Sequence, residues 1–205
     1  MVEYINMINR DEENNEEYTE EYARETSRVS GFLGFAWEVI KVIIIAAVIV
    51  IPIRYFLFQP FFVRGQSMDP NFANGDYLII DEITYRFRGP ERGEVIVFRY
   101  PQDPSNRFIK RVIGLPGEEI KIKDGEITID GGDILDEKYL PDDLTTSGDI
   151  HIILENNEYF VLGDNRPYSF DSRRFGPLLE EFIIGRVYLR AWPFGSISKF
   201  GAPAY

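Results

Sequence analysis

Apolar and polar residues alternate over short runs through most of the chain, but one stretch has no polar position at all. Val42 to Ile53 carries only aliphatic side chains and one proline, and Trp37 before it and Tyr55-Phe56-Leu57-Phe58 after it extend the run. The total reaches the roughly 20 residues needed to span a bilayer core. The pattern predicts one transmembrane helix over residues 35–58. Trp37 and Tyr55 suit an interfacial belt, Glu38 and Lys41 lie one helical turn apart, and Arg54 can snorkel at the opposite layer. A cleaved leader is the first competing reading, but the run begins behind an acidic region and no small-residue cleavage site follows. A buried core helix is the second; length and the flanking aromatic residues favour the span.

After Pro70 the period becomes that of strands. Residues 76–81, 94–100 and 108–113 are short β-branched or aromatic runs bounded by Gly, Pro, Asn and Asp. Residues 119–123 and 126–130 flank Asp124-Gly125, a pair suited to a type I′ hairpin turn. Residues 131–149 form a Gly- and Asp-rich connection, and residues 159–162 and 186–190 resume the sheet. No helix of ordinary length is expected after residue 64. The pattern predicts a mostly β protein: an antiparallel sheet, barrel-like, over residues 59–205, with a small inserted β-hairpin module near 118–156.

Charge adds an organisational boundary. The formal net charge is −12, and residues 1–30 hold nine acids against three arginines, so half of the excess lies there. Few aliphatic residues accompany those charges, so residues 1–34 are expected to be a solvated, disordered acidic tail; an acidic docking segment for a basic partner is the sharper alternative. The acidic balance argues against a nucleic-acid partner. Cysteine is absent and His151 is the one histidine. Thiol chemistry, disulfides and a cysteine metal site are thereby excluded, and no metal is expected. In the run Ile150-His151-Ile152, alternation makes His151 an exposed or hydrogen-bonded strand residue.

Three stretches could carry chemistry. Ser67 lies in Gly65-Gln66-Ser67-Met68-Asp69-Pro70, a constrained turn that suits either an exposed nucleophile or a plain chain reversal. Without a suitably placed histidine its base would be a lysine or a carboxylate. Lys110, in Phe108-Ile109-Lys110-Arg111-Val112, shares a strand face with Phe108 and Val112. Burial there would lower its pKa into the range of a general base; the alternative is an edge lysine that discourages aggregation. The third stretch, Gly163 to Gly176, places Ser169, Asp171 and Arg173 on one side if it is extended. It is either a functional network or a surface loop held by an Asp–Arg pair.

In this order, these stretches resemble the signature boxes of the type I signal peptidases. A middle box, Arg92-Gly93-Glu94-Val95-Ile96-Val97-Phe98, and the continuation of the lysine box through Gly114-Leu115-Pro116-Gly117-Glu118 add to the likeness, which covers about residues 35 to 195. The resemblance implies a membrane-bound serine endopeptidase that uses a Ser-Lys dyad to remove signal peptides from exported preproteins. The dyad would be Ser67 as nucleophile and Lys110 as general base, with Ser169 orienting the amine. Asp171 and Arg173 would form one supporting pair and Asp164 and Arg111 another, while Met68 would line the substrate region. The resemblance implies no cofactor. It implies a cytoplasmic N-terminus, a catalytic domain on the extracytoplasmic face of the cell membrane, and membrane lipid and the secretion translocon as partners beside the signal peptides.

Some residues depart from the family pattern. Gly65 stands where some members carry a serine that helps the oxyanion hole, so the hole would rest on backbone N–H groups of Ser67 and Gly65. Asn71, Phe108 and Glu118 replace a frequent threonine, tyrosine and aspartate. Two other classes of function fit parts of the chain. One is a catalytically inactive, membrane-anchored β module that binds extended peptides, against which Ser67, Lys110 and Ser169 stand together. The other is a self-cleaving repressor-like Ser-Lys protease, which would place a DNA-binding segment where this chain has its apolar run.

Overall fold

The computed structural model describes residues 35–51, 58–141 and 144–202. The chain divides into two units after Pro52. In the first, residues 35–51 form a helix, α1, whose aliphatic side chains are exposed; Val42 and Val48 keep 66% and 67% of their surface. Among the described residues no helix is long and apolar enough to cross a membrane. Of the span expected over 35–58, residues 52–57 lie outside the described residues, as does the acidic tail, while Phe58, expected to end the helix, begins a strand.

The second unit is built from strands, as the period-two pattern predicts. Its main sheet contains β1 (Phe58–Phe62), β2 (Tyr77–Asp81), β3 (Val95–Tyr100), β4 (Asp103–Gly114), β8 (Glu158–Leu162), β9 (Leu178–Leu179), β10 (Ile183–Trp192) and β11 (Ser198–Lys199). The strand order is β1-β2-β10-β3-β4-β8-β9, with β11 also on β10, and every pairing is antiparallel. β1 carries Pro60, a residue without an N–H donor and so suited to an edge.

The expected module is a second sheet of β5 (Glu119–Lys123), β6 (Glu126–Ile129) and β7 (Ile150–Ile153), in the order β6-β5-β7. Asp124 and Gly125 both have positive φ, 53° and 92°, which is the conformation the type I′ turn requires. His151 is exposed on β7 and pairs with Glu119 of the neighbouring strand.

Three apolar clusters hold the unit together. One joins Val63, Met68 and Phe72 to Leu78, Ile80, Val97 and Ile109. A second packs Ile96, Phe98 and Val112 against Val161 and Leu178. The third seals the small sheet onto the large one, with Ile120, Ile122 and Ile127 against Ile113, Phe160 and Leu162. Contact is close where β4 passes between the two: a Cβ on Gly114 would meet Ile120 Cδ1 at 2.7 Å and Leu154 Cδ1 at 2.9 Å.

Ile122 is fully buried at the centre of the third cluster. Ile122→Ala should destabilise the β unit by about 2–5 kcal/mol, the usual cost of such a cavity. Urea unfolding of the two proteins side by side measures it.

Candidate active site

The turn after β1 is held from both ends. Val63 N–H donates to Asp76 O at 2.9 Å, Gly75 N–H to Val63 O at 3.0 Å, and Phe72 N–H to Met68 O at 2.8 Å. Met68 and Phe72 are buried in the core below. Between these anchors Gly65 takes φ of +90°, a value that disfavours any side chain. Its N–H donates to Asn74 Oδ1 at 2.9 Å. Ser67 is thereby lifted to a half-buried position.

The loop after β8 clamps the same turn from outside. Asn165 N–H donates to Ser67 O at 3.1 Å and Asn165 Nδ2 to Gln66 O at 2.9 Å. Gly163 makes this approach possible: a Cβ there would lie 2.4 Å from Ser67 O and 2.2 Å from Ser169 Oγ.

Lys110 reaches Ser67 from β4. Its Nζ lies 2.8 Å from Ser67 Oγ and donates to Ile109 O at 2.8 Å. The side chain is buried, with the Phe108 ring centroid 5.6 Å from the nitrogen. Burial pushes the Lys110 pKa down to about 8, against the opposing fields of Asp171 and Asp164. About one molecule in ten then holds a neutral amine at pH 7, and in that form the contact reverses, the serine hydroxyl donating to nitrogen.

Both opposing carboxylates have arginine partners. Arg111 grips Asp164 with Nε at 2.8 Å and a terminal nitrogen at 2.6 Å, both residues being buried. Asn71 Nδ2 adds a third bond to Asp164 at 2.9 Å and donates to Tyr139 O at 2.9 Å, so it ties the Ser67 turn to this pair. Arg173 holds Asp171 through Nε at 2.8 Å and a terminal nitrogen at 2.9 Å. Burial works to raise the Asp171 pKa, but Arg173, Ser169 and the Gly163 N–H outweigh it and keep the carboxyl below its ordinary value.

The segment that carries Asp171 is not extended. It contains a 3-10 turn over Arg166–Tyr168 and a four-residue helix, α2 (Ser172–Phe175), and Asp171 caps that helix by accepting from Arg173 N–H. The Asp171–Arg173 pair therefore arises from capping, where alternation along a strand was expected. Ser169 is buried beside Gly163. Its hydroxyl lies close enough to favour the charged Asp171, yet among the described residues it makes no aligned hydrogen bond, and none to Lys110.

Two other expected positions differ. Met68 is 1% exposed, packs with Val63 and Phe72 in the core and does not line the groove, whose wall on this side is formed by the residues before it. The Gly65 N–H is committed to Asn74, whereas among the described residues nothing accepts from the Ser67 N–H. Sequence reasoning missed Arg166, which is buried in ion pairing with Glu137, hydrogen-bonds Thr146, and donates to Gly163 O at 3.0 Å. It also missed the Arg111 guanidinium stacked 3.9 Å from the Tyr139 ring centroid. The only available hint was the density of polar residues after Leu162.

A groove of about 610 Å³ opens at Ser67 and Lys110. One wall is Pro60 to Gln66 and the other Ser105 to Ile109, with Tyr168 and Phe170 at the side. A hydroxyl touching an amine of lowered pKa, beside an unpaired N–H and at the end of an open groove, is an arrangement for acyl transfer.

Asp164→Ala would leave the buried Arg111 charge without its partner. The expected cost is about 3–5 kcal/mol, with a lowered Tm readable by thermal unfolding in detergent.

Comparison with known proteins agrees with this chemistry. The family described as signal peptidase, peptidase S26, matches residues 36–192. The probable signal peptidase I-2 of Synechocystis sp. is 37% identical over 163 residues, 76% of this chain and 73% of that protein. The signal peptidase IB of Staphylococcus aureus is 32% identical over 168 residues, 74% of this chain and 87% of that protein. A crystal structure of a signal peptidase I from Enterococcus faecalis aligns with TM-score 0.43 at 32% identity, over 49% of this chain and 97% of that chain. With its family match spanning the helix, the Ser67 turn, β4 and the loop after β8, the chain belongs to the signal peptidase family, peptidase S26.

Proposed function

We propose that this protein is a membrane-bound serine endopeptidase that removes N-terminal signal peptides from exported preproteins. The observation that carries the reading is the 2.8 Å contact between Ser67 Oγ and a buried Lys110 amine whose pKa is about 8. Neutral Lys110 takes the Ser67 proton as Oγ attacks the scissile carbonyl. The Ser67 N–H faces the oxyanion that forms, the lysine returns its proton to the leaving amine, and the ester is hydrolysed by water that the same amine deprotonates. In this reading the Ser169 hydroxyl, which makes no hydrogen bond to Lys110 in the resting site, is the group that orients the amine during the reaction. Arg111–Asp164 and Arg173–Asp171 hold the frame.

The substrate would lie extended in the groove. Among the described residues, 107–110 of β4 pair with β3 on one side and with no strand on the other, because β8 covers that side only from Arg111 onward. A peptide segment before the cut can add to that edge through main-chain hydrogen bonds and end at Ser67.

We infer that α1 is the described part of a single membrane anchor, since its aliphatic residues are exposed all around it. In this reading the N-terminus is cytoplasmic and the β unit works at the extracytoplasmic face of the cell membrane. Lipid surrounds the anchor and the secretion translocon delivers the preproteins.

Ser67→Ala and Lys110→Met should each reduce preprotein cleavage at least about a thousandfold while leaving the circular dichroism spectrum unchanged. Sequencing the new N-terminus of one exported preprotein after incubation in detergent checks this, and cleavage by either variant at the wild-type rate would refute the dyad. The base must be neutral to act, so kcat/KM should rise with pH through a midpoint of about 8. Arg173→Met removes the counter-charge of Asp171, which then favours the ammonium form. The midpoint should move to higher pH, and a pH–rate profile reads the shift.

A further inference from the structure

The groove is cationic in an acidic protein. The chain carries −12 overall, yet the groove lining includes Arg64, Arg107 and Lys110 and no Asp or Glu. Lys110 is engaged with Ser67 and Ile109. Arg64 and Arg107 are exposed, and among the described residues neither forms an ion pair.

The surroundings of Arg107 add to the positive field. Arg99 stands directly opposite it across the β3–β4 pair, a placement that is unfavourable for like charges. Glu82 lies within electrostatic reach of Arg107, Arg86 and Arg99 together, and among the described residues its buried Oε1 has no hydrogen-bond partner. One carboxylate among three guanidinium groups leaves the cluster positive; the acid on β4 itself, Asp103, accepts from Ser105 and Asn106 and forms no ion pair with Arg107.

Strand geometry says where an added charge would fall. A peptide on the free edge of residues 107–110 extends the β3–β4 ladder, so one of its side chains sits beside Arg107 in the row that begins with Arg99. Arg107 precedes Lys110 by three residues, about 10 Å of strand, so that side chain lies about three residues from the scissile bond. A carboxylate there relieves the repulsion; a lysine or arginine adds a third cation. Arg64 borders the facing wall and acts in the same sense.

We propose that Arg107, supported by Arg64, gives the enzyme a charge preference: it favours preproteins with Asp or Glu at the position that pairs with Arg107 and disfavours Lys or Arg there. The inference rests on the groove being the substrate's seat. The test uses the full chain in neutral detergent and signal-peptide substrates carrying Ala, Glu or Lys, one position at a time, from five residues before the cut to five after. The Glu-to-Lys ratio of kcat/KM should be about fivefold or more at one or two positions near three residues from the cut. It should fall towards one in about 0.5 M salt. Arg107→Glu should invert it and Arg64→Glu should reduce it; because each ratio is internal to one variant, loss of folded enzyme cancels.

Ratios near one at every position would overturn the proposal, as would a ratio that neither variant changes. Effects equal for all three peptides and confined to vesicles of anionic lipid would assign the arginines to the membrane surface, and would also overturn it. The same peptides titrated onto Ser67→Ala, read by fluorescence anisotropy, separate the two readings. A Glu-over-Lys affinity ratio without any wild-type cleavage keeps the charge preference and removes the catalytic assignment.

Discussion

The site depends on an amine that stays partly neutral within reach of two buried carboxylates. Asp164 and Asp171 both favour the charged form of Lys110, and burial disfavours it. Burial wins because each carboxylate has a guanidinium of its own, Arg111 on one and Arg173 on the other. Such pairs add little to stability once desolvation is counted, but they remove net charge from the surroundings of the base. Sequence adjacency makes this economical in structure. Lys110 and Arg111 are neighbours on β4 and therefore point to opposite faces, one to Ser67 and the other to the carboxylate of Asp164, which favours the charged lysine.

The same constraint bears on why the connection between β6 and β7 folds against the site. Residues 131–149 look like a surface loop by composition, yet Tyr139 covers the Arg111 guanidinium and accepts from Asn71, while Glu137 and Thr146 satisfy Arg166. A buried guanidinium needs several acceptors, and the loop after β8 has too few to serve Arg111, Arg166 and Arg173 together. The inserted module supplies the remainder. Its hydrophobic cluster on Ile113 and Phe160 thereby supports the position of the loop after β8 as well as its own sheet.

Legibility in the sequence followed the range of the interactions. Period-two runs located the strands and the Asp-Gly turn because those signals are local. They also marked Lys110 as an amine among apolar neighbours. Its contact with Ser67 was not local, and only the ordered likeness of separate stretches to one family joined them. The Asp171–Arg173 pair was anticipated for the wrong reason, since a helix cap and an extended strand can both bring residues two apart together. Arg166 and Glu137 meet through irregular backbone 29 residues apart, where neither period nor spacing carries information. Met68 shows the converse: a residue adjacent to Ser67 in sequence packs into the core and not into the groove.

An open strand edge is needed to receive an extended peptide, and it is also a liability, because it offers the same ladder to another copy of the chain. β1 limits that risk with Pro60, which removes one donor from its edge. The free part of β4 has no proline after Pro104, and its outer residues up to Arg107 are exposed and polar. Two copies meeting there with their Arg107 residues opposed would add further like charge to the row in which Arg99 already faces Arg107. The unfavourable Arg99–Arg107 placement thus disfavours that register of self-pairing while leaving the edge open to a strand of complementary charge, so a local cost in stability helps to keep the groove available.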